Sequence, residues 1–142
     1  FNTARFHHVN LSWNPGSSDL KLIQSGDLKI EDIFAKVVLM NKEEWEMIEG
    51  KQTLLQNQVE QVIITDSIRG GKVFLPHGQI IHYKAYPADS VDNTGAGDAF
   101  AVGYVASLLK GKTVEEAVEF GAKNSASVVK YFGGKQGLKN KI

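Results

Sequence analysis

The chain has 142 residues, 42% hydrophobic and 23% charged, which is enough for one globular core and short for two ordinary domains. The chain has 16 lysine and arginine residues and 16 aspartate and glutamate residues, so its formal net charge is zero. It therefore has no excess positive charge to attract it to nucleic acid or anionic lipid. We therefore expect small-molecule partners, without nucleic acid or a membrane.

Cellular location is constrained by what the sequence lacks. There is no cysteine, which excludes disulfides, thiolate metal sites and cysteine nucleophiles and fits a reducing compartment. The longest apolar stretch runs from Ala99 to Leu109, too short to cross a bilayer, and no signal-peptide pattern opens the chain. We expect a cytoplasmic protein. The chain begins at Phe1 rather than methionine, which suggests a fragment or a processed product.

The first half alternates apolar runs with polar helical segments. Residues 8–13 alternate as a half-buried strand does and end at an Asn-Pro-Gly turn, and two continuous apolar runs further on are typical of covered parallel strands. A serine at the start of the next segment provides a helix cap. The predicted strands are residues 8–13, 37–40 and 62–64, and the predicted helices are residues 17–24, 42–49 and 53–59.

The second half begins with a glycine-entered hairpin. Residues 72–75 and 79–84 read as its strands, with a Pro-His-Gly turn between them. Helices are predicted at residues 96–110 and 113–130, the second opened by a capping box of Thr113 and Glu116. Together the segments predict an α/β fold with a central, mostly parallel sheet, flanking helices and an antiparallel hairpin at one edge.

The stretch DNTGAGDAF at residues 92–100 places small residues directly before an acid and an apolar helix. If Gly95, Ala96 and Gly97 lie at the helix start, their N–H groups are unpaired donors along the helix dipole, and small side chains let phosphate oxygens approach. Asp98 beside them could accept the proton of an attacking hydroxyl. The alternative is a tight strand-to-helix turn in which Asp98 only complements the dipole.

This stretch resembles the C-terminal signature of the ribokinase or PfkB carbohydrate kinases. A second element, Asn41-Lys42-Glu43-Glu44, follows a predicted strand and is similar to the family's Asn-x-x-Glu element, which helps organise magnesium and the phosphates. The same residues also form a helix capping box, and both interpretations can hold together. Asn41 and Glu44, acting largely through water, would suit the oxygen preference of Mg²⁺.

Residues 62–70 are similar to the strand and loop that run beside the ATP phosphates and ribose in this family. Thr65 and Gly70 keep the family pattern, whereas Ser67 replaces its usual glycine. The resemblance thus implies that Thr65, Ser67 and Gly70 bind the nucleotide.

Four further positions carry expectations from the resemblance. Asn124 and Gly133 occupy positions where family members shape the adenine pocket. Some members also have a monovalent-cation (K⁺) site, which implies Asp92 and Thr94 as ligands here, although Asn93 replaces the family's small hydroxyl residue or proline.

The resemblance implies a ribokinase-like fold and ATP-dependent phosphorylation of a sugar hydroxyl with Mg²⁺. Residues 1–142 would be the C-terminal nucleotide-binding and catalytic part, without the N-terminal sugar-binding half and its lid. Two alternatives remain: a nucleoside or vitamin-type acceptor, and a non-catalytic nucleotide-binding fragment. An interior strand at residues 8–13 would then have an unpaired edge, which predicts self-association there.

Overall fold

The computed structural model of the protein describes residues 1–7, 9–88 and 94–130. The chain divides into two compact units, one of Phe1–Asp66 and Lys72–Ile81, the other of Ser67–Gly71 and His82–Ile142. Five strands form one sheet in the order β1-β2-β3-β4-β5. The elements are α1 (Asn2–Phe6), β1 (Ser12–Trp13), α2 (Ser17–Ser25), β2 (Val37–Asn41), α3 (Lys42–Met47), α4 (Gln52–Gln58), β3 (Gln61–Thr65), β4 (Gly71–Phe74), β5 (Ile80–Tyr83), α5 (Ala96–Leu109) and α6 (Val114–Val128).

The first unit is built on two buried parallel strands. β2 pairs with β3 in register from Val37 opposite Gln61 to Asn41 opposite Thr65. Their continuous apolar runs are buried, as strands covered on both faces require. The predictions of these strands are confirmed. The surrounding core comes from the helices and connecting loops, and its buried members include Leu20, Ile23, Ile33, Trp45, Ile48 and Leu55.

The predicted strand at residues 8–13 is only partly observed. β1 comprises Ser12–Trp13 alone and pairs in parallel with the start of β2. The N–H of Val9 donates to the carbonyl of Ala4 at 2.9 Å and closes α1, so it is not available to a sheet ladder. β1 also lies at the end of the strand order, which is the edge position expected for this strand within residues 1–142. His8 lies outside the described residues.

Three helices of the first unit, α2 to α4, match their predicted places with shifted ends, whereas α1 was not predicted. The N-cap of α2 is Gly16 rather than a serine, and its N–H donates to Asp19 Oδ2 at 2.9 Å. α3 is shorter than predicted, α4 is shifted by one residue at the same length, and the turn between them contains Gly50 at φ +82°. Such a φ favours glycine, so the backbone conformation explains why Gly50 separates the two helices, as predicted.

The hairpin and the two final helices are confirmed. The hairpin closes through a turn at Pro76–Gly78, and the N–H of Leu75 donates to the carbonyl of Gln79 at 2.8 Å. Thr113 Oγ1 accepts from the N–H of Glu116 at 3.2 Å, which completes the capping box of α6. Over the described part of the chain, no helix combines the length and the apolar character needed to cross a membrane.

α5 and α6 approach closely because two glycines lie at their contact. A Cβ added at Gly103 would be 3.2 Å from the Cα of Gly121, and one added at Gly121 would be 3.1 Å from the carbonyl oxygen of Phe100. Both distances are shorter than ordinary van der Waals contact. A larger residue at either position would therefore require its neighbours to shift.

Candidate active site

In the first unit, residues predicted to bind magnesium and the nucleotide lie at the carboxyl ends of two neighbouring strands. Asn41 ends β2 and Thr65 ends β3, and the two residues are opposite one another in the register. Glu44 follows in the first turn of α3. Ligands of open α/β sheets bind outside the carboxyl ends of the strands, so these residues lie where the fold class predicts a site.

Asn41 and Glu44 form the predicted capping box. The N–H of Glu44 donates to Asn41 Oδ1 at 2.7 Å, and the N–H of Asn41 donates to Glu44 Oε2 at 2.8 Å. The box fixes both side chains and leaves the second carboxylate oxygen of Glu44 outside it. No cluster of three histidine, aspartate or glutamate side chains suited to a metal ion occurs among the described residues. A cation at this pair would therefore need further ligands from water or from a bound phosphate.

In the second unit, α5 begins at the small residues of the sequence motif. Gly95 is the N-cap and has φ +77°, a left-handed conformation that glycine adopts without strain. Its carbonyl accepts the N–H of Ala99 at 2.8 Å, the first hydrogen bond of the helix. Gly95 makes no side-chain capping bond. The first helical turn thus begins directly after Gly95, and the binding of an anion by its N–H groups stays a prediction.

Gly97 differs from the other glycines of α5 and α6 because its surroundings do not require it. The φ of Gly97 is not in the left-handed region. Gly97 is exposed to solvent, and a Cβ added to it would meet no described atom within 4 Å. Glycine in a helix costs stability relative to alanine. The small size of Gly97 therefore has no explanation in the packing of the described chain, and close approach of a ligand supplies one.

Asp98 lies in the first turn of α5 and is exposed. A negative charge at this position is stabilised by the positive end of the helix dipole. The next residue, Ala99, is buried, so the backbone on one side of Asp98 is held in the interior of the unit. An exposed carboxylate on a fixed backbone is suited to proton transfer with a bound molecule.

The loop predicted to bind nucleotide is held by glycine against the end of β5. A Cβ at Gly70 would lie 2.0 Å from the carbonyl oxygen of Tyr83, and Gly70 has φ +93°, so no other residue fits without displacement. Ser67, which replaces the family's glycine, has φ +46°. That is a left-handed conformation seldom adopted by residues with a Cβ, so Ser67 keeps the backbone expected of glycine.

Asn124 is buried between α5 and α6, with 2% of its surface exposed. Its side-chain Nδ2 donates to the carbonyl of Ala99 at 2.7 Å. The contact of its side chain with the first turn of α5 did not follow from the sequence, because the two residues are 25 positions apart. Thr94 is exposed just before α5. Asp92 and Gly133 lie outside the described residues.

Two rings of α5 and one of β5 form a stacked aromatic row that the sequence did not predict. Tyr83 stacks on Phe100 with ring centroids 5.3 Å apart, and Phe100 stacks on Tyr104 at 6.1 Å. Burial raises the pKa of both tyrosines well above its ordinary value. The buried hydroxyl of Tyr83 has no hydrogen-bond partner in the described part of the chain. Phe100 and Tyr104 lie one turn apart on α5, whereas Tyr83 comes from β5, so the stacking of Tyr83 on α5 did not follow from a local pattern.

Comparison with known proteins identifies the family. The model of the pfkB family carbohydrate kinases matches residues 17–141, and the chain belongs to this family. A 5-dehydro-2-deoxygluconokinase of Shouchella clausii is 29% identical over 104 residues, covering 67% of this chain and 32% of that protein. The chain thus spans about a third of the length of this curated relative.

Solved structures agree on a ribokinase-like fold. A nucleoside kinase of Methanocaldococcus jannaschii, an archaeal member of the ribokinase family, is 26% identical with a TM-score of 0.80, covering 91% of this chain and 44% of that one. A putative ribokinase II of E. coli, solved with ATP and Mg²⁺, has a TM-score of 0.82 at 17% identity, covering 97% of this chain and 48% of its own. The predicted fold class, a mostly parallel sheet flanked by helices with a hairpin, is confirmed.

Proposed function

We propose that the protein is an ATP-dependent kinase that phosphorylates a sugar hydroxyl, and that this chain carries its ATP-binding and phosphoryl-transfer part. The observation that carries the proposal is Gly97, an exposed glycine in the first turn of α5 that the described packing does not require. Membership of the pfkB family supports the reaction class. A cytoplasmic location, where ATP is available, belongs to the same proposal.

The N-terminus of α5 supplies the chemistry of the proposed site. The N–H groups of Gly95, Ala96 and Gly97 donate hydrogen bonds to oxygens of the transferred phosphoryl group, where charge must be stabilised. Asp98 accepts the proton of the acceptor hydroxyl as that oxygen attacks phosphorus and the bond to the leaving phosphate breaks. The buried neighbour Ala99 holds the backbone of the carboxylate during this transfer.

The carboxyl ends of β2 and β3 supply the proposed cation and nucleotide contacts. Asn41 and Glu44 would hold Mg²⁺ largely through water, because their capping box already engages the only side-chain oxygen of Asn41 and one of the two of Glu44. When bound, Mg²⁺ neutralises charge on the phosphates. Thr65 and the Ser67 to Gly70 loop bind the nucleotide. That the E. coli ribokinase II was solved with ATP and Mg²⁺ supports this cofactor pair.

The remaining predicted ligands complete the proposal. Asp92 and Thr94 provide a monovalent-cation (K⁺) site, and Gly133 lines the adenine pocket. Asn124, predicted for the adenine pocket, is 2% exposed and contacts the first turn of α5 rather than an open surface. This chain covers 32% of the Shouchella clausii protein. We therefore assign sugar binding to a part of the whole protein that corresponds to the relative's sequence outside the match.

A nucleoside is the second candidate acceptor. The observation that favours it is the 26% identity to the Methanocaldococcus jannaschii nucleoside kinase over 91% of this chain. The residues of the proposed phosphoryl-transfer site would serve both acceptors, because they contact the phosphates and the reacting hydroxyl rather than the rest of the acceptor.

The test is a panel of acceptors incubated with the intact protein, ATP and Mg²⁺. ADP release is followed by a coupled assay, and the product is identified by its mass. We expect phosphorylated product with at least one sugar or sugar acid, and a preference for nucleosides would favour the second candidate. ADP release at the same low rate with every acceptor and with water would contradict the proposal.

A further inference from the structure

We propose that Asn124 is a positioning residue that holds the first turn of α5 in the geometry needed for phosphoryl transfer, an inference that rests on the proposed function. Its Nδ2 donates to the carbonyl of Ala99 at 2.7 Å. Ala99 directly follows Asp98, and its own N–H donates to the carbonyl of Gly95 at 2.8 Å. Asn124 is therefore bound to the residue that directly follows the proposed base and that is hydrogen-bonded to the N-cap of the proposed phosphate-binding turn.

Helix packing explains why this contact is specific. Asparagine has a short side chain, so its amide reaches a carbonyl on the neighbouring helix only where the two backbones lie close together. A Cβ added at Gly103 would be 3.2 Å from the Cβ of Asn124, which shows how near the helices are at this point. The two glycines thus bring the helices close enough for the Asn124 side chain to reach the carbonyl of Ala99.

The environment of the amide indicates that the bond is maintained. Asn124 is buried. A buried amide without a hydrogen-bond partner destabilises the folded state, because its lost hydrogen bonds to water are not replaced. A carbonyl in the first helical turn is otherwise held only by the helix itself, whose ends fray. A second, tertiary hydrogen bond at Ala99 reduces this fraying, and catalysis requires such a support because small misplacements of reacting groups lower the rate strongly.

Asn124→Leu removes the donor while keeping a side chain of similar volume, and Asn124→Ala serves if the leucine variant does not fold. Ser107→Ala is the matched control. Ser107 is also buried on α5, where its Oγ donates to the carbonyl of Gly103 at 2.9 Å, but it lies two turns beyond Ala99. Both changes remove a buried hydrogen bond from the same helix pair, and only the first removes one from the first turn.

Turnover is measured in the intact protein well below the melting temperature of each variant. We expect Asn124→Leu to lower kcat by about tenfold with KM for ATP changed by less than about twofold, and Ser107→Ala to leave kcat unchanged. Combined with Asp98→Asn, the leucine change should cost less than about a further twofold, because both act on the same step. Wild-type kcat in Asn124→Leu, equal losses in the control, or full multiplicative losses in the double variant would overturn the inference.

Hydrogen exchange tests the same inference without relying on activity. Exchange of the Ala99 and Phe100 amides should be about tenfold faster in Asn124→Leu and unchanged in Ser107→Ala. Unchanged exchange in Asn124→Leu would overturn the positioning role. If the wild-type protein transfers no phosphate, the proposed function fails, and the exchange result still decides whether Asn124 holds the first turn.

Discussion

Replacing Gly97 with alanine should separate stability from activity. Gly97 is exposed within α5, and an added Cβ would meet no described atom within 4 Å. Alanine is the better helix former, so the free energy of unfolding should rise by about 0.5 kcal/mol or stay unchanged. The new methyl group would nevertheless stand among the first-turn N–H groups and hinder phosphate oxygens. Losing one such donor costs about a hundredfold in kcat, and we expect a loss of that order.

The assay compares urea denaturation with steady-state turnover of the intact protein. Thr53→Ala is the matched control, because Thr53 is the exposed second residue of α4, as Gly97 is the second residue of α5. It should raise or preserve stability with no change in turnover. Wild-type turnover in a folded Gly97→Ala variant would refute the reasoning. So would a loss of stability large enough to explain the loss of activity, because Gly97 would then be required by the fold.

Three further predictions concern stability. Tyr83→Phe should leave the free energy of unfolding unchanged or raise it by up to about 1 kcal/mol in urea denaturation, because the buried hydroxyl has no described partner; a clear loss would reveal a hydrogen bond. Since burial raises the pKa of Tyr83 and Tyr104, stability from these phenols should be complete below pH about 10 and fall as the pH rises above it. Absorbance at alkaline pH should show them ionising only with unfolding, and reversible ionisation in the folded protein would contradict this. Ser67→Gly should raise stability by up to about 1 kcal/mol by relieving the φ of +46°, whereas Gly70→Ala should lower it strongly; a less stable Ser67→Gly variant would be the contrary result.

The fold was predictable where the sequence signal is local. β2 and β3 are continuous apolar runs. The N-terminal caps of α3 and α6 are capping boxes, whose two residues lie three positions apart in the sequence. The strand at residues 8–13 was overpredicted because its alternation is also compatible with a helix end. There the N–H of Val9 closes α1, a bond that no periodicity reveals.

The candidate site was predictable to a similar degree. A run of small residues before an acid marks the start of α5, and the structure has Gly95 as its N-cap. The link from Asn124 to Ala99 could not be predicted, because it depends on how closely two helices pack. The positive φ of Ser67 is an intermediate case, since the resemblance identified a position where glycine is usual but only the backbone shows why.

The central claim, that Asp98 is the base of a phosphoryl-transfer site, is tested most directly by the kinetics of Asp98→Asn in the intact protein. Asparagine keeps the size of the side chain and cannot accept the proton. We predict that kcat with the best acceptor falls by at least about a hundredfold, while the affinity for ATP measured by calorimetry changes by less than about threefold. A folded Asp98→Asn variant with turnover near that of the wild type would contradict the claim.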